Sequence, residues 1–310
     1  MRIHIALFFI FFFTSNLIAQ SNRNLFDYDK EKEKLAVVVQ SRNLDSVTIF
    51  EKVVLDGFDS KIPFYHYINK RKSKVNYAIL LHGLGDSKES WVYPSEPYLE
   101  WSQNLTSIKD SLLTLGYSLI IPDAKFHGER NYELDFRPPE SLPPILSRNE
   151  KDTKLFEILM TSTAKDLRII MDYVQQFNKV KNQSFGVIGY SMGGNIAILL
   201  SNHDERVESV VACVPPINLP GKGIETFDWP DDLVQGQLDI TPMKYAINQN
   251  TPILLLMGKR DYFTPVEDAE RFYNNISINE KELKFFDSGH ILPNEYKIDA
   301  IRWISLYNKF

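Results

Sequence analysis

Residues 45–310 predict an α/β fold: a doubly wound, mostly parallel sheet with an antiparallel N-terminal edge. Three observations carry that prediction. From Tyr77 onward, short runs rich in Val, Ile and Leu alternate with longer stretches whose apolar residues recur at helical spacing. Before Tyr77, strand-like runs follow one another with the turn signal Asp56-Gly57 between two of them. Finally, Phe185-Gly186-Val187-Ile188 passes through Gly189-Tyr190-Ser191-Met192-Gly193 directly into the helical run Asn195–Leu200.

In chain order, the N-terminus is different in kind from the rest. Arg2, the nine apolar residues Ile5–Phe13 and the junction Ala19-Gln20 have the layout of a secretory signal peptide. Nine apolar residues fall short of the ~20 that a bilayer span needs. Residues 1–19 are therefore expected to be removed, which makes the protein secreted or periplasmic; an uncleaved anchor is the alternative left open. With no cysteine at the junction, a lipoprotein anchor is excluded. Residues 20–44 read as an N-terminal lead-in, polar and mobile over 21–34.

Val47–Phe50, Val53–Leu55 and Ile62–Ile68 are β-rich, and Pro63 favours an edge position for the last of them. A basic loop at Lys70–Lys74 leads to the strand Tyr77–Leu81. Trp101–Leu115 is an amphipathic helix stopped by Gly116, and Tyr117–Ile121 is the next strand. A Pro-rich insertion near 129–151 precedes a long helix near 153–178. Strands follow at 185–189, 207–214, 252–257 and 283–286, with helices at 266–276 and 295–306 and a second insertion near 217–250. No linker interrupts the alternation, so one domain is expected.

Composition narrows the function. A net charge of −5 over 310 residues points to neither nucleic acid nor anionic membrane as a partner. Cys213 is the single cysteine, so an intrachain disulfide and a cysteine-type zinc cluster are impossible.

The chemistry resides in Gly-x-Ser-x-Gly. A turn from strand to helix this tight strains the backbone of Ser191, and side chains two residues to either side would collide. The hydroxyl is left at a helix N-terminus, where the dipole favours developing negative charge. A nucleophilic serine needs a base, and the base an orienting acid. Of the six histidines, His290 follows the last strand, at the sheet edge where the turn also lies. Asp261, in Gly258-Lys259-Arg260-Asp261 after the preceding strand, is the preferred acid; Asp287, three residues from His290, is its rival. His82 and His127 stand at strand ends, as loop anchors or, alternatively, as a metal pair; no metal and no cofactor is expected.

Ser191, Asp261 and His290 lie in the chain order of the triad of the α/β-hydrolases, and over roughly residues 45–308 the chain resembles that family, in its esterase and serine aminopeptidase-like branch. His82-Gly83-Leu84-Gly85 resembles the oxyanion loop, Asp123–Arg130 the family's Asp-x-x-x-His-Gly turn, and Ser288-Gly289-His290 the base segment. The resemblance implies a catalytic domain over 45–310 and an oxyanion hole made by the backbone N–H groups of Leu84 and Met192. A serine nucleophile argues against the branches that use aspartate. The expected activity is cleavage of carboxylic esters through an acyl-enzyme, on a small-molecule ester or short peptide, with no stable membrane insertion after signal removal. The alternatives are a serine peptidase of the aminopeptidase or prolyl-oligopeptidase-like branch and, less favoured, a non-catalytic binding protein. Tyr132, Phe136, Phe227 and Trp229 in the insertions either line a pocket or pack the insertions onto the body.

Overall fold

The computed structural model describes residues 25–70, 76–97, 99–133, 150–178 and 183–308. The signal-peptide stretch, most of the basic loop and most of the first insertion, Phe136 included, lie outside those residues, as does the side chain of Phe227. Among the described residues no helix is long and apolar enough to cross a membrane.

Nine strands form one sheet in the order β1-β2-β3-β5-β4-β6-β7-β8-β9. These are β1 Ala36–Asn43, β2 Thr48–Asp56, β3 Lys61–Asn69, β4 Tyr77–Leu81, β5 Ser118–Pro122, β6 Phe185–Tyr190, β7 Val207–Cys213, β8 Ile253–Gly258 and β9 Lys281–Phe286. The first three strands are antiparallel, and β3 meets β5 antiparallel; every later pairing is parallel. The doubly wound sheet with its antiparallel beginning is thus the observed architecture.

The inner parallel strands β4, β5, β6 and β8 are buried on both faces because helices cover both, while the edge strand β9 is mostly half-buried. Side chains alternate: Ile79 and Leu81 of β4 enter one core with α2 (Glu150–Asn178), α3 (Met192–His203) and α7 (Val266–Asn275). Ala78 and Leu80 enter the other, with α1 (Leu99–Thr114) and α8 (Tyr296–Tyr307). Fully burying one such Leu or Ile contributes roughly 1.5–3 kcal/mol, so the two cores fix the strand register. The second insertion folds into three short helices, α4 (Leu219–Phe227), α5 (Asp231–Leu238) and α6 (Pro242–Tyr245).

Three expectations need correction. Residues 36–43, read as part of the lead-in, form β1, the outermost strand, with all eight residues exposed. The supposedly mobile 21–34 segment is docked at Phe26, which is buried, stacks on His203 at 3.9 Å and accepts a hydrogen bond on its carbonyl from Arg168. Tyr28 adds a 2.6 Å bond to Asp172. And β3 is not an edge strand: it lies between β2 and β5. Pro63 is tolerated because it sits opposite Asp123, one residue past the end of β5. The Pro63 carbonyl accepts the Asp123 N–H, and the Asp123 carbonyl, which would have taken the missing proline donor, accepts from Arg130.

Candidate active site

The strand order reverses about β4: β5 lies on one side of it and β6 on the other. A crevice opens at the carboxyl end of a parallel sheet at such a switch point. The loop after β4 and the turn after β6 are its two walls.

Ser191 occupies that turn with φ 54° and ψ −117°, a left-handed conformation that costs a non-glycine residue on the order of 1–3 kcal/mol. The flanking glycines permit it. A Cβ on Gly189 would stand 2.0 Å from the Gly193 carbonyl oxygen, which closes the turn on itself. A Cβ on Gly193 would stand 2.6 Å from the Leu81 carbonyl oxygen and 2.7 Å from that of His82, so α3 could not approach the end of β4. Sequence motif and steric cause agree here.

His290 and Asp261 come to Ser191 from the loops after β9 and β8. His290 Nε2 lies 2.8 Å from Ser191 Oγ, and His290 Nδ1 lies 2.9 Å from Asp261 Oδ2. Because a carboxylate only accepts, Nδ1 carries the proton and Nε2 is left to accept from the serine hydroxyl. Asp261 is itself held still: its side chain is buried, and Oδ1 accepts the N–H groups of Phe263 (2.8 Å) and Thr264 (3.3 Å). The rival Asp287 turns outward into an exposed ion pair with Arg260. The ring of Phe263 meets His290 edge-on at 5.0 Å.

The acid and base loops share backbone. Arg260 N–H donates to the Ser288 carbonyl at 2.9 Å, and a Cβ on Gly258 would lie 2.0 Å from the Gly289 carbonyl oxygen. Sequence reasoning missed Tyr190, the residue between Gly189 and Ser191. Its buried hydroxyl donates to the His290 carbonyl at 2.9 Å and accepts the Leu292 N–H at 2.9 Å. A tyrosine in an otherwise apolar buried run was the available signal, since a buried phenol seeks a partner.

The loop after β4 is latched to the turn after β5 by two histidines. His127 Nε2 accepts the Gly85 N–H and His82 Nε2 accepts the Ala124 N–H, both at 3.0 Å. Their Nδ1 atoms face the Lys125 and Gly83 carbonyls, so neither ring keeps a nitrogen for another ligand. Beneath them the buried Asp123 accepts the backbone N–H groups of Lys88 and Glu129 and pairs with Lys88 Nζ at 2.6 Å. Gly128, at φ 54°, has no Cβ because the Asp123 carboxylate fills that space at 2.2 Å. This accounts for the Asp-x-x-x-His-Gly turn. Gly83 passes close to Ser191, its missing Cβ 3.6 Å from the serine Cβ, and Leu84 follows it in the chain. Met192 is the first residue of α3, where a backbone N–H has no intrahelical acceptor.

Strand order, helix placement and the strained serine turn define an α/β-hydrolase. Within that class the chain belongs to the dienelactone hydrolase family, whose model matches residues 99–297. It is a hydrolase, and esterase-like in its fold. Among solved structures it is similar to acetyl xylan esterase 1 from Thermoanaerobacterium sp. JW/SL YS485, with 17% identity over 90% of each chain and a TM-score of 0.68. It is also similar to the acetyl xylan esterase from Paenibacillus sp. R4, with 18% identity over 96% of this chain and 93% of that one, TM-score 0.65. An esterase from Pyrococcus furiosus follows at 21% identity, 84% and 93% coverage, and TM-score 0.56. No curated protein matches the chain in sequence.

Proposed function

We propose that the protein is a secreted serine esterase that hydrolyses short-acyl carboxylic esters through an acyl-enzyme. The observation that carries the reading is the unbroken hydrogen-bond chain from Ser191 through His290 to Asp261. His290 takes the serine proton as Oγ attacks the ester carbonyl and returns it to the departing alcohol; Asp261 holds the imidazole in the required tautomer and balances its transient charge. The N–H groups of Leu84 and Met192 receive the oxyanion, a contribution for which one donor is typically worth ~10²–10³ in rate. Water then repeats the cycle on the acyl-enzyme.

Two further points favour a short acyl group. The related structures named above include two acetyl xylan esterases. Trp229, a candidate lining residue, is buried with its ring against Gly223, where a Cβ would meet it at 2.2 Å; it packs the second insertion and is not available as the wall of an acyl groove. Tyr132, by contrast, is 65% exposed. Secretion rests on the signal-like residues 1–19, and mass spectrometry of the exported protein should find its N-terminus at or within a few residues of Gln20.

One substrate panel tests the reading: nitrophenyl esters of two to sixteen carbons beside aminoacyl and prolyl anilides. Esters should outpace anilides, because an amine must be protonated to leave and an activated phenol need not be. The rate should be highest at two to four carbons. Efficient anilide turnover with weak ester turnover would place the protein among the peptidases, and a rate rising steadily to sixteen carbons would contradict the short-acyl preference.

A further inference from the structure

We propose that Tyr190 is a positioning residue for the base: its hydroxyl ties the loop that carries His290 to the strand that carries Ser191, and so sets the distance over which the proton moves. The inference rests on the reading of Ser191, His290 and Asp261 as the catalytic triad.

A triad built from loops after different strands has a mechanical weakness. The serine is held by a strained turn and the acid by two backbone N–H groups, but the base sits on a segment without regular structure, Asp287–Leu292, beyond the last strand. The bond from Asp261 fixes the tilt of the His290 ring at Nδ1. It does not fix the backbone from which the ring swings. On one flank the acid loop supplies that restraint, through the Arg260 N–H on the Ser288 carbonyl and the close approach of Gly258 and Gly289.

Tyr190 supplies it on the other. Its hydroxyl makes two bonds of 2.9 Å, giving its proton to the carbonyl of His290 itself and taking one from the N–H of Leu292. A single oxygen thereby pins both ends of the three-residue segment 290–292. Its anchor is the residue covalently joined to Ser191, so the base is referenced to the nucleophile's own strand. The ring is buried and fixed edge-on against Trp101 (5.4 Å) and Tyr296 (6.0 Å), so the hydroxyl has little freedom to wander. Burial pushes the phenol's ionisation well above its ordinary range, which keeps the proton that the His290 carbonyl receives. Misplacement of a catalytic group by about 1 Å can cost on the order of 10²-fold in rate, and Tyr190 holds a distance of that kind.

The test is Tyr190→Phe, which keeps the ring and deletes the oxygen. Rates are read as kcat/KM on two acetates that differ only in the leaving group, 4-nitrophenyl and phenyl. A displaced base matters most where the departing group must be protonated, so the expected losses are about tenfold for the nitrophenyl ester and about 100-fold for the phenyl ester. Active sites are counted with a fluorophosphonate, so that loss of folded protein, which lowers both rates by one common factor, is divided out. Tyr296→Phe is the control: it removes a buried hydroxyl in the same cluster that has no hydrogen-bond partner among the described residues, and both rates should stay within twofold of wild type. Leucic acid in place of Leu292 exchanges the N–H that Tyr190 accepts for an ester oxygen, leaves Tyr190 intact and should steepen the leaving-group dependence in the same sense; it decides the matter if Tyr190→Phe does not fold. An equal loss on both esters, or none, overturns the proposal. Failure of the triad reading itself shows separately, as Ser191→Ala that still hydrolyses both esters.

Discussion

Two sets of histidines meet the carboxyl edge of this sheet, and they are wired in opposite ways. His82 and His127 bind main chain with every ring nitrogen, each taking an N–H from the other's loop. His290 binds side chains with both of its nitrogens, a carboxylate on one and a hydroxyl on the other. The first arrangement makes a rivet, since a ring whose partners are all backbone groups has no way to pass a proton onward. The second is the wiring that the proton carrier of the proposed mechanism requires. His127 is buried, and burial followed by the neighbouring His82 pushes it down to about 3, so it stays neutral wherever the fold survives. His290 remains partly exposed, with 27% of its side chain accessible. Residue type alone does not separate the two sets; the identity of the hydrogen-bond partners does.

The comparison breaks most sharply at Ser191. Ser191→Ala takes away the partner of His290 and touches nothing in the rivets, so it should abolish ester hydrolysis, a loss of about 10⁶-fold by analogy with serine proteases, with the melting temperature unchanged or raised. A fluorophosphonate should label the wild type and leave the variant unlabelled; equal labelling would remove Ser191 from its role.

Next in size is the acid. Asp261→Asn puts an amide where a carboxylate orients the base, a change that costs ~10⁴ in kcat in the serine-protease case. Asp287→Asn breaks an exposed ion pair and should stay within about twofold. Kinetics on the two variants side by side decide between them, and a damaging Asp287→Asn with a mild Asp261→Asn would reverse the assignment.

The smallest effect concerns two buried histidines, the rivet His127 and His66 of β3, and it is read in stability. His66 and His127 are both pushed down to about 3 by burial, whereas an unfolded histidine titrates near 6.5. Between those values the unfolded chain binds the extra proton, so stability is fully present above pH 6.5 and is lost as pH falls toward 3. From pH 7 to pH 5 each ring should withdraw roughly 2 kcal/mol. Urea unfolding of His127→Gln at the two pH values should show a fall about 2 kcal/mol smaller than in the wild type. An unchanged fall would mean that His127 is not the neutral anchor described here.

Much of this was legible in the chain. The parallel strands announced themselves because burial on both faces leaves uninterrupted Val/Ile/Leu runs, as in Ile253–Met257. The elbow was legible because the collision of Gly189 with Gly193 leaves no other residue for those positions. The preference for Asp261 over Asp287 rested on strand ends, and in the structure Asp261 lies beside His290 while Arg260 draws Asp287 outward. What stayed hidden had no local signature. Strand β1 is exposed on both faces, so its Val37-Val38-Val39 lacks the alternation that marks a half-buried strand. Docking of Phe26 on His203 joins residues far apart in the chain and leaves no periodicity at all. Pro63 misled because its missing donor is excused by where β5 stops, a fact about a strand more than fifty residues away.

The contact between Gly258 and Gly289 has a consequence for anyone recombining this protein with its relatives. With a carbonyl oxygen 2.0 Å from the place a side chain would begin, and the Arg260 N–H bonded to the Ser288 carbonyl, the acid and base segments form a single module. A chimera that imports residues 258–264 without 286–290, or the reverse, joins two loops shaped for different partners. Crossover points belong outside both segments, so that acid and base are inherited together.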